Sequence, residues 1–546
     1  MNRPPTLFDK DEHTVRNGTT RRALLLAAGL TAACLSSPIP APALAASGSS
    51  GVSTAAAPLT EYTQQKLHWK PCDAKSPRAL RCATLKVPLD YSDPGGRKIS
   101  LSISRLKATS TTERRGVLLL NPGGPGAPGL QLPTELQFPA EVKRQYDLIG
   151  FDPRGAGQSS PVSCGLTAEE QSDHPYKAET FTKDVEWART VAEKCRAKAG
   201  DLLPYLITRN SARDMDVIRA VLGEKKISYL GYSYGTYLGA VYMQLFPGRA
   251  DRFVLDSATD PTRIYRGTFQ DMAKGAEQAF TRWAEWTARR DRTYGLGDTP
   301  AEVRATYWKL IARADREPIT FDGQALTGDD IRADNSTFFH VEAGAERIAA
   351  LKKAAENGTP APAPSGTAAP SGTAGTSGTT GTSGTTGTSG TSGTSDQAEA
   401  PDDNYASIAW SVMCADTRTW SHDPERYRRE AIRDKARYPL YGDFASAITP
   451  CAFWPRGSEP QTTIDNSVGA LITQNEWDPQ TPLFAGRAMH HALRGSRMLT
   501  VTGGEGHGVL YVPGGNSCAD KAGTLYLTTG RLPAEDVTCR ATADPA

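Results

Sequence analysis

Neither sign of charge dominates this sequence of 546 residues: 62 lysines and arginines stand against 60 aspartates and glutamates, a formal net charge of +2. No run of basic residues forms a patch, so neither nucleic acid nor an anionic membrane surface is an expected partner. Beyond the amino-terminal region no segment is long and apolar enough to span a bilayer. No two cysteines stand in C-x-x-C spacing, which argues against a zinc ribbon or a thioredoxin-type site, and no metal or organic cofactor is expected. Histidine is scarce, with eight in the whole chain. A stretch from Asn357 to Ala400, built of Gly, Thr, Ser, Ala and Pro, has almost nothing to bury and is expected to stay disordered.

What is present begins with a targeting segment. Thr20-Arg21-Arg22-Ala23-Leu24-Leu25 opens an apolar run that reaches Leu35, and Ala43-Leu44-Ala45 supplies small residues for cleavage. The run is too short for a permanent membrane helix. The paired arginines predict a twin-arginine export signal over 1–45, with an ordinary secretory signal as the alternative. A lipoprotein anchor at Cys34 is disfavoured because Thr31 stands where such signals carry an aliphatic residue. The mature chain is expected to begin near Ala46, to be secreted to the extracellular space and to carry no stable membrane anchor. Of the nine cysteines, Cys34 leaves with the signal. The remaining eight, even in number and exported, point to disulfides. Of the 105 possible pairings, the simplest joins sequence neighbours: Cys72 with Cys82, Cys164 with Cys195, Cys414 with Cys451, and Cys518 with Cys539.

Hydrophobic periodicity places strands at 83–88 and 99–106, then at 116–120, 146–151, 227–230 and 252–256. A helix is expected from Ser211 to Leu222, with Ser211 as its cap and Met215, Val217, Ile218 and Val221 on one face. Strands alternating with helices predict a mostly parallel sheet covered on both faces. After Asp260 the pattern turns helical and irregular, with Phe280, Trp283 and Trp286 at helical spacing as lid core. The sheet pattern resumes at 468–472 and 498–501. One catalytic α/β domain, 46–261 and 466–546, is therefore interrupted by a large, mainly helical cap over 262–465.

The chemistry centres on Gly231-Tyr232-Ser233-Tyr234-Gly235. A G-x-S-x-G pentad between a strand and a helix is a nucleophile elbow, in which a strained turn holds the serine hydroxyl outward. A serine hydroxyl needs a base, and the base needs an acid to orient it. In this architecture the order is Ser, then Asp or Glu, then His. His507 lies in a glycine-rich loop just beyond the last apolar strand; His490 and His491 fall in a helix-like stretch. Asp478 follows a strand and precedes a proline, which makes it the preferred acid, with Glu476 and Asp256 as competitors. The oxyanion donors are expected to be the amide of Tyr234 and one from Asn121-Pro122-Gly123-Gly124-Pro125-Gly126, with Gly124 preferred to Gly123. Asp152-Pro153-Arg154-Gly155 reads as a structural turn.

The residues NPGGPG from Asn121, FDPRGAGQSS from Phe151, GYSYGTYLGAVY from Gly231 and EWDPQTP from Glu476 together resemble the secreted bacterial tripeptidyl aminopeptidases, in the proline-iminopeptidase branch of the α/β-hydrolases. The similarity runs from about His68 to Cys539. It implies an α/β-hydrolase fold with Ser233 as nucleophile, Asp478 as acid and His507 as base. It also implies release of tripeptides from free amino termini of peptides and proteins, with a secreted protease inhibitor as a further partner. Pro122 stands where proline iminopeptidases carry histidine, which disfavours removal of single prolines. A substrate ammonium needs an acidic partner, and Glu342 and Asp416 in the cap are the candidates. A carboxylesterase of the same fold, or a catalytically silent adhesion module on it, are the alternative readings.

Overall fold

The computed structural model describes residues 59–357 and 400–541. The expected export signal and the Gly/Thr/Ser tract, apart from its end residues Asn357 and Ala400, lie outside the described residues. The described strands are β1 (Lys70–Pro71), β2 (Leu80–Pro88), β3 (Lys98–Leu106), β4 (Gly116–Asn121), β5 (Tyr146–Phe151), β6 (Ile227–Tyr232), β7 (Ala250–Asp256), β8 (Ile319–Phe321), β9 (Gln324–Leu326), β10 (Ala470–Trp477), β11 (Arg497–Glu505) and β12 (Val537–Arg540). Ten of them form one sheet in the order β1-β2-β3-β5-β4-β6-β7-β10-β11-β12, and β8 pairs with β9 apart from it. Pairing is antiparallel from β1 to β5 and parallel from β5 to β12. This is the mostly parallel α/β sheet that the strand pattern predicts.

The central strands β4, β5 and β6 are buried along their whole length. Helices on both faces leave no side for polar residues, so these strands read as unbroken apolar runs rather than alternations. The helix Thr208–Val221 lays Met215, Val217 and Ile218 into the core on one face of the sheet. It starts three residues before the expected cap. Ser211 is a buried residue inside the helix, and the helix amino terminus is satisfied instead by Asp416, whose Oδ1 accepts the Thr208 N–H at 2.6 Å. A carboxylate there also complements the helix dipole.

Between β7 and β10 the chain leaves the sheet for an insertion of helices, the longest being Arg266–Ala288, Pro300–Arg316 and Val341–Asn357. Phe280, Trp283 and Trp286 are buried there, packed with Tyr307 and Phe338 in a hydrophobic cluster of its own. The turn after β5 is structural, as its composition suggests. Buried Arg154 forms a forked pair with Asp214, Nη2 to Oδ1 at 2.6 Å and Nε to Oδ2 at 2.8 Å, and Nη1 donates to the carbonyls of Leu89 and Tyr205. Four disulfides join Cys72 to Cys82, Cys164 to Cys195, Cys414 to Cys451 and Cys518 to Cys539. No helix among the described residues is long and apolar enough to cross a membrane.

Candidate active site

Ser233 sits between β6 and the helix Tyr234–Leu245 at φ +55° and ψ −123°. A non-glycine residue in that region is strained by about 1–3 kcal/mol, and only a tightly packed surround maintains it. The surround is visible at Gly231, where a Cβ would come within 2.5 Å of the Tyr229 hydroxyl and 2.7 Å of the Gly235 carbonyl. Any side chain would push strand and helix apart and release the turn. Ser233 N–H donates to the Asp256 carbonyl at 3.0 Å, so the elbow is tied to the end of β7. Ser233 Oγ itself forms no hydrogen bond among the described residues.

The ends of β10 and β11 supply the other two groups. Asp478 follows β10, where its Oδ1 accepts the amides of Gln480 at 2.8 Å and Thr481 at 3.0 Å. Its Oδ2 accepts from Thr481 Oγ1 at 2.7 Å and meets His507 Nδ1 at 2.8 Å. The second imidazole nitrogen, Nε2, is buried without a partner. The Asp478 contact fixes the proton on Nδ1 and leaves the Nε2 lone pair free to accept one. Burial by itself would lower the His507 pKa, but the charge and hydrogen bond of Asp478, with a further contribution from the Asp256 charge, raise it above its ordinary value.

The competing acids have other tasks. Glu476 Oε2 accepts the Gly503 N–H at 2.6 Å, on the side of β11. Asp256 is buried, with one carboxylate oxygen on the Val509 amide at 2.9 Å and the other on the Leu510 amide at 2.8 Å. Ser257 Oγ accepts the neighbouring Gly508 N–H at 2.8 Å. Asp256 thus binds the elbow through its carbonyl and the histidine loop through its side chain. Its carboxyl is pushed up to about 6, first by burial.

Gly124, Ser233, Tyr234 and Thr481 line one cavity of about 280 Å³. Tyr234 opens its helix, so its amide has no carbonyl one turn back to bond. Gly123 N–H is engaged by Asn121 Oδ1 at 3.1 Å, whereas Gly124 N–H has no partner among the described residues. At Gly123 a Cβ would meet the Tyr232 carbonyl at 2.7 Å and Ser233 Cβ at 2.9 Å, which is why that loop can press so closely on the elbow. Apolar residues of the insertion, among them Met272, Trp410 and Met413, complete the walls.

Neither expected amine partner is in the cavity. Glu342 lies exposed in the first turn of Val341–Asn357. Asp416 is buried beneath the cavity, with its oxygens occupied by Thr208 and by the Tyr265 hydroxyl at 2.8 Å. Two residues escaped the sequence reading. Thr481, three positions after the acid, follows the local turn pattern of an aspartate before proline and could have been flagged by it. Asp173 has no local signal, and only the folded chain brings it into the cavity.

Two family models match the chain: one described as alpha/beta hydrolase fold over residues 116–312 and one described as TAP-like protein over residues 438–539. The tripeptidyl aminopeptidase of Streptomyces lividans is 34% identical over 514 residues, which cover 88% of this chain and 87% of that protein. The serine protease Hip1 of Mycobacterium tuberculosis is 29% identical over 87% of this chain and 91% of its own. A protein named carboxylesterase B, from Mycobacterium tuberculosis, is 30% identical over 86% of this chain and 89% of its own.

Proposed function

Because the chain belongs to the tripeptidyl aminopeptidase family of α/β-hydrolase serine peptidases, we propose that it releases tripeptides from the free amino termini of peptides and proteins through a Ser233-His507-Asp478 triad. The observation that carries the reading is the His507–Asp478 pair at 2.8 Å with its outer nitrogen unpartnered, held by Asp256 to the strained serine. Ser233 Oγ attacks the scissile carbonyl while His507 Nε2 takes its proton. The amides of Tyr234 and Gly124 receive the oxyanion. His507 returns the proton to the departing amine, leaving the tripeptide as an ester on Ser233. Water, deprotonated by the same nitrogen, hydrolyses that ester. The Thr481 hydroxyl supports Asp478 Oδ2 and lies 3.3 Å from His507 Nδ1.

The helical insertion, taken as 262–465 within a core of 46–261 and 466–546, acts as the cap that limits how far a chain can enter. Four disulfides in the described residues support work outside the cytoplasm after export by the 1–45 segment along the twin-arginine route. The test uses a tripeptide joined to a chromogenic amine and its amino-acetylated form. Rapid release from the free form only, abolished by Ser233→Ala, is expected. Equal rates on the two forms would remove the aminopeptidase reading and leave a general acyl hydrolase. The carboxylesterase relative favours that second reading, for which simple esters would outpace every peptide.

A further inference from the structure

The triad explains bond cleavage but not why a free amino terminus is required. Among the described residues lining the cavity, Asp173 is the only one with a formal charge at neutral pH. It stands in the connection between β5 and the helix Phe181–Ala199, outside the helical insertion. Its Oδ1 is sealed from solvent and has no hydrogen-bond partner, and no cation pairs with it among the described residues.

Other buried aspartates sharpen the contrast. Asp443 is neutralised by Arg332 and by Lys435, the latter at 2.7 Å. Asp416 is saturated by Thr208 and Tyr265. Asp152 accepts three amides, from Gly129, Leu130 and Gln158. A carboxylate oxygen buried without such a partner is costly, and its isolation is accounted for if a cation arrives with the ligand. Tyr441 and Gln171 line the same cavity and carry oxygens that can accept the other protons of an ammonium group. Tyr441 is near enough for the Asp173 charge to help raise its pKa, after burial as the main cause.

We propose that Asp173 is the receptor for the substrate's terminal ammonium group, so that the cavity counts residues by the separation between this carboxylate and Ser233. This deepens the tripeptidyl aminopeptidase reading and rests on it. A three-residue segment spans about 10 Å when extended. This role of Asp173 therefore requires its carboxylate and the Ser233 hydroxyl to stand about that far apart, so that a chain one residue shorter or longer would not reach both. The tripeptide's ammonium then binds equally in ground and transition states, which lowers KM more than it raises kcat.

The experiment compares wild type with Asp173→Asn, which keeps the shape and removes the charge. Substrates are a chromogenic tripeptide amide, its amino-acetylated form, the corresponding dipeptide amide and a small uncharged p-nitrophenyl ester. For Asp173→Asn, kcat/KM on the free tripeptide should fall about 10- to 100-fold, mostly through KM. The preferences for free over acetylated and for tripeptide over dipeptide should shrink toward one. Ester turnover and labelling of Ser233 by a fluorophosphonate should be unchanged, which separates loss of recognition from loss of folding. If Asp173→Asn keeps the wild-type preference for the free amine, Asp173 is not the receptor. If wild type itself shows no such preference, the aminopeptidase reading falls first, and this proposal with it.

Discussion

Asp173→Asn is expected to make the protein more stable even as it makes it a poorer peptidase. Burial without a partner lifts the Asp173 carboxyl from 3.8 to about 6. A shift of that size corresponds to about 3 kcal/mol of unfavourable charge burial at neutral pH, at about 1.36 kcal/mol per unit. The residue as a whole is only half-buried, so about 1–3 kcal/mol is the working range. The sign follows from proton uptake. Between the unfolded value and about 6, the folded protein holds the proton more tightly, so its stability from this group is full below the unfolded value and is lost as pH rises through about 6. Asparagine carries no charge at any pH. The difference between variant and wild type should therefore be largest near pH ~7.5 and vanish near pH ~3. With an unfolding entropy of about 2.1 cal/mol/K per residue, each kcal/mol moves the melting temperature of a unit this large by about 1 °C. Calorimetry or urea titration at the two pH values reads the effect. A variant less stable than wild type near neutrality, or a difference independent of pH, would refute the picture of an unpaired buried carboxylate.

Asp478→Asn is expected to lower kcat by about 10⁴-fold, and Asp256→Asn by much less, in steady-state assays of the two variants side by side. Because Asp478 and Asp256 keep His507 above its ordinary value of 6.5 despite burial, ester hydrolysis should fall as pH drops through a midpoint above that value. Asp256→Asn should move the midpoint down, as a pH–rate profile will show. Arg154→Met leaves Asp214 buried and unpaired and should cost about 3–5 kcal/mol in denaturant titration. Peptide mapping without reduction should find Cys518 joined to Cys539; with a sequence separation of 21, replacing both by serine should cost about 3 kcal/mol.

The sheet and the placement of Ser233, Asp478 and His507 at strand ends were legible because they are written locally. Apolar runs ending in glycine or proline mark buried strands, and the elbow, Asp478 and His507 each follow one. Sequence neighbours among the cysteines pair because each short loop brings its own ends together. The acidic group of the cavity was not legible. Asp416 looked available but turned out to cap the helix beginning at Thr208, a contact made across 208 positions of chain. Asp173 is distinguished only by having no partner, and no local pattern records an absence of contacts. The start of that helix was misplaced for the same reason, since its cap comes from a distant residue rather than from Ser211.

Asp256 touches the serine through its main chain and the histidine loop through its side chain. Nucleophile and base therefore share a single mount. Any displacement at the end of β7 is passed to both through the same residue, which couples their spacing to one anchor. The acid rides on the adjacent strand β10, while the helical insertion supplies cavity walls and not the mount itself. Adjusting the cavity to a new peptide then becomes a matter of its walls alone, with the reacting pair left in registration.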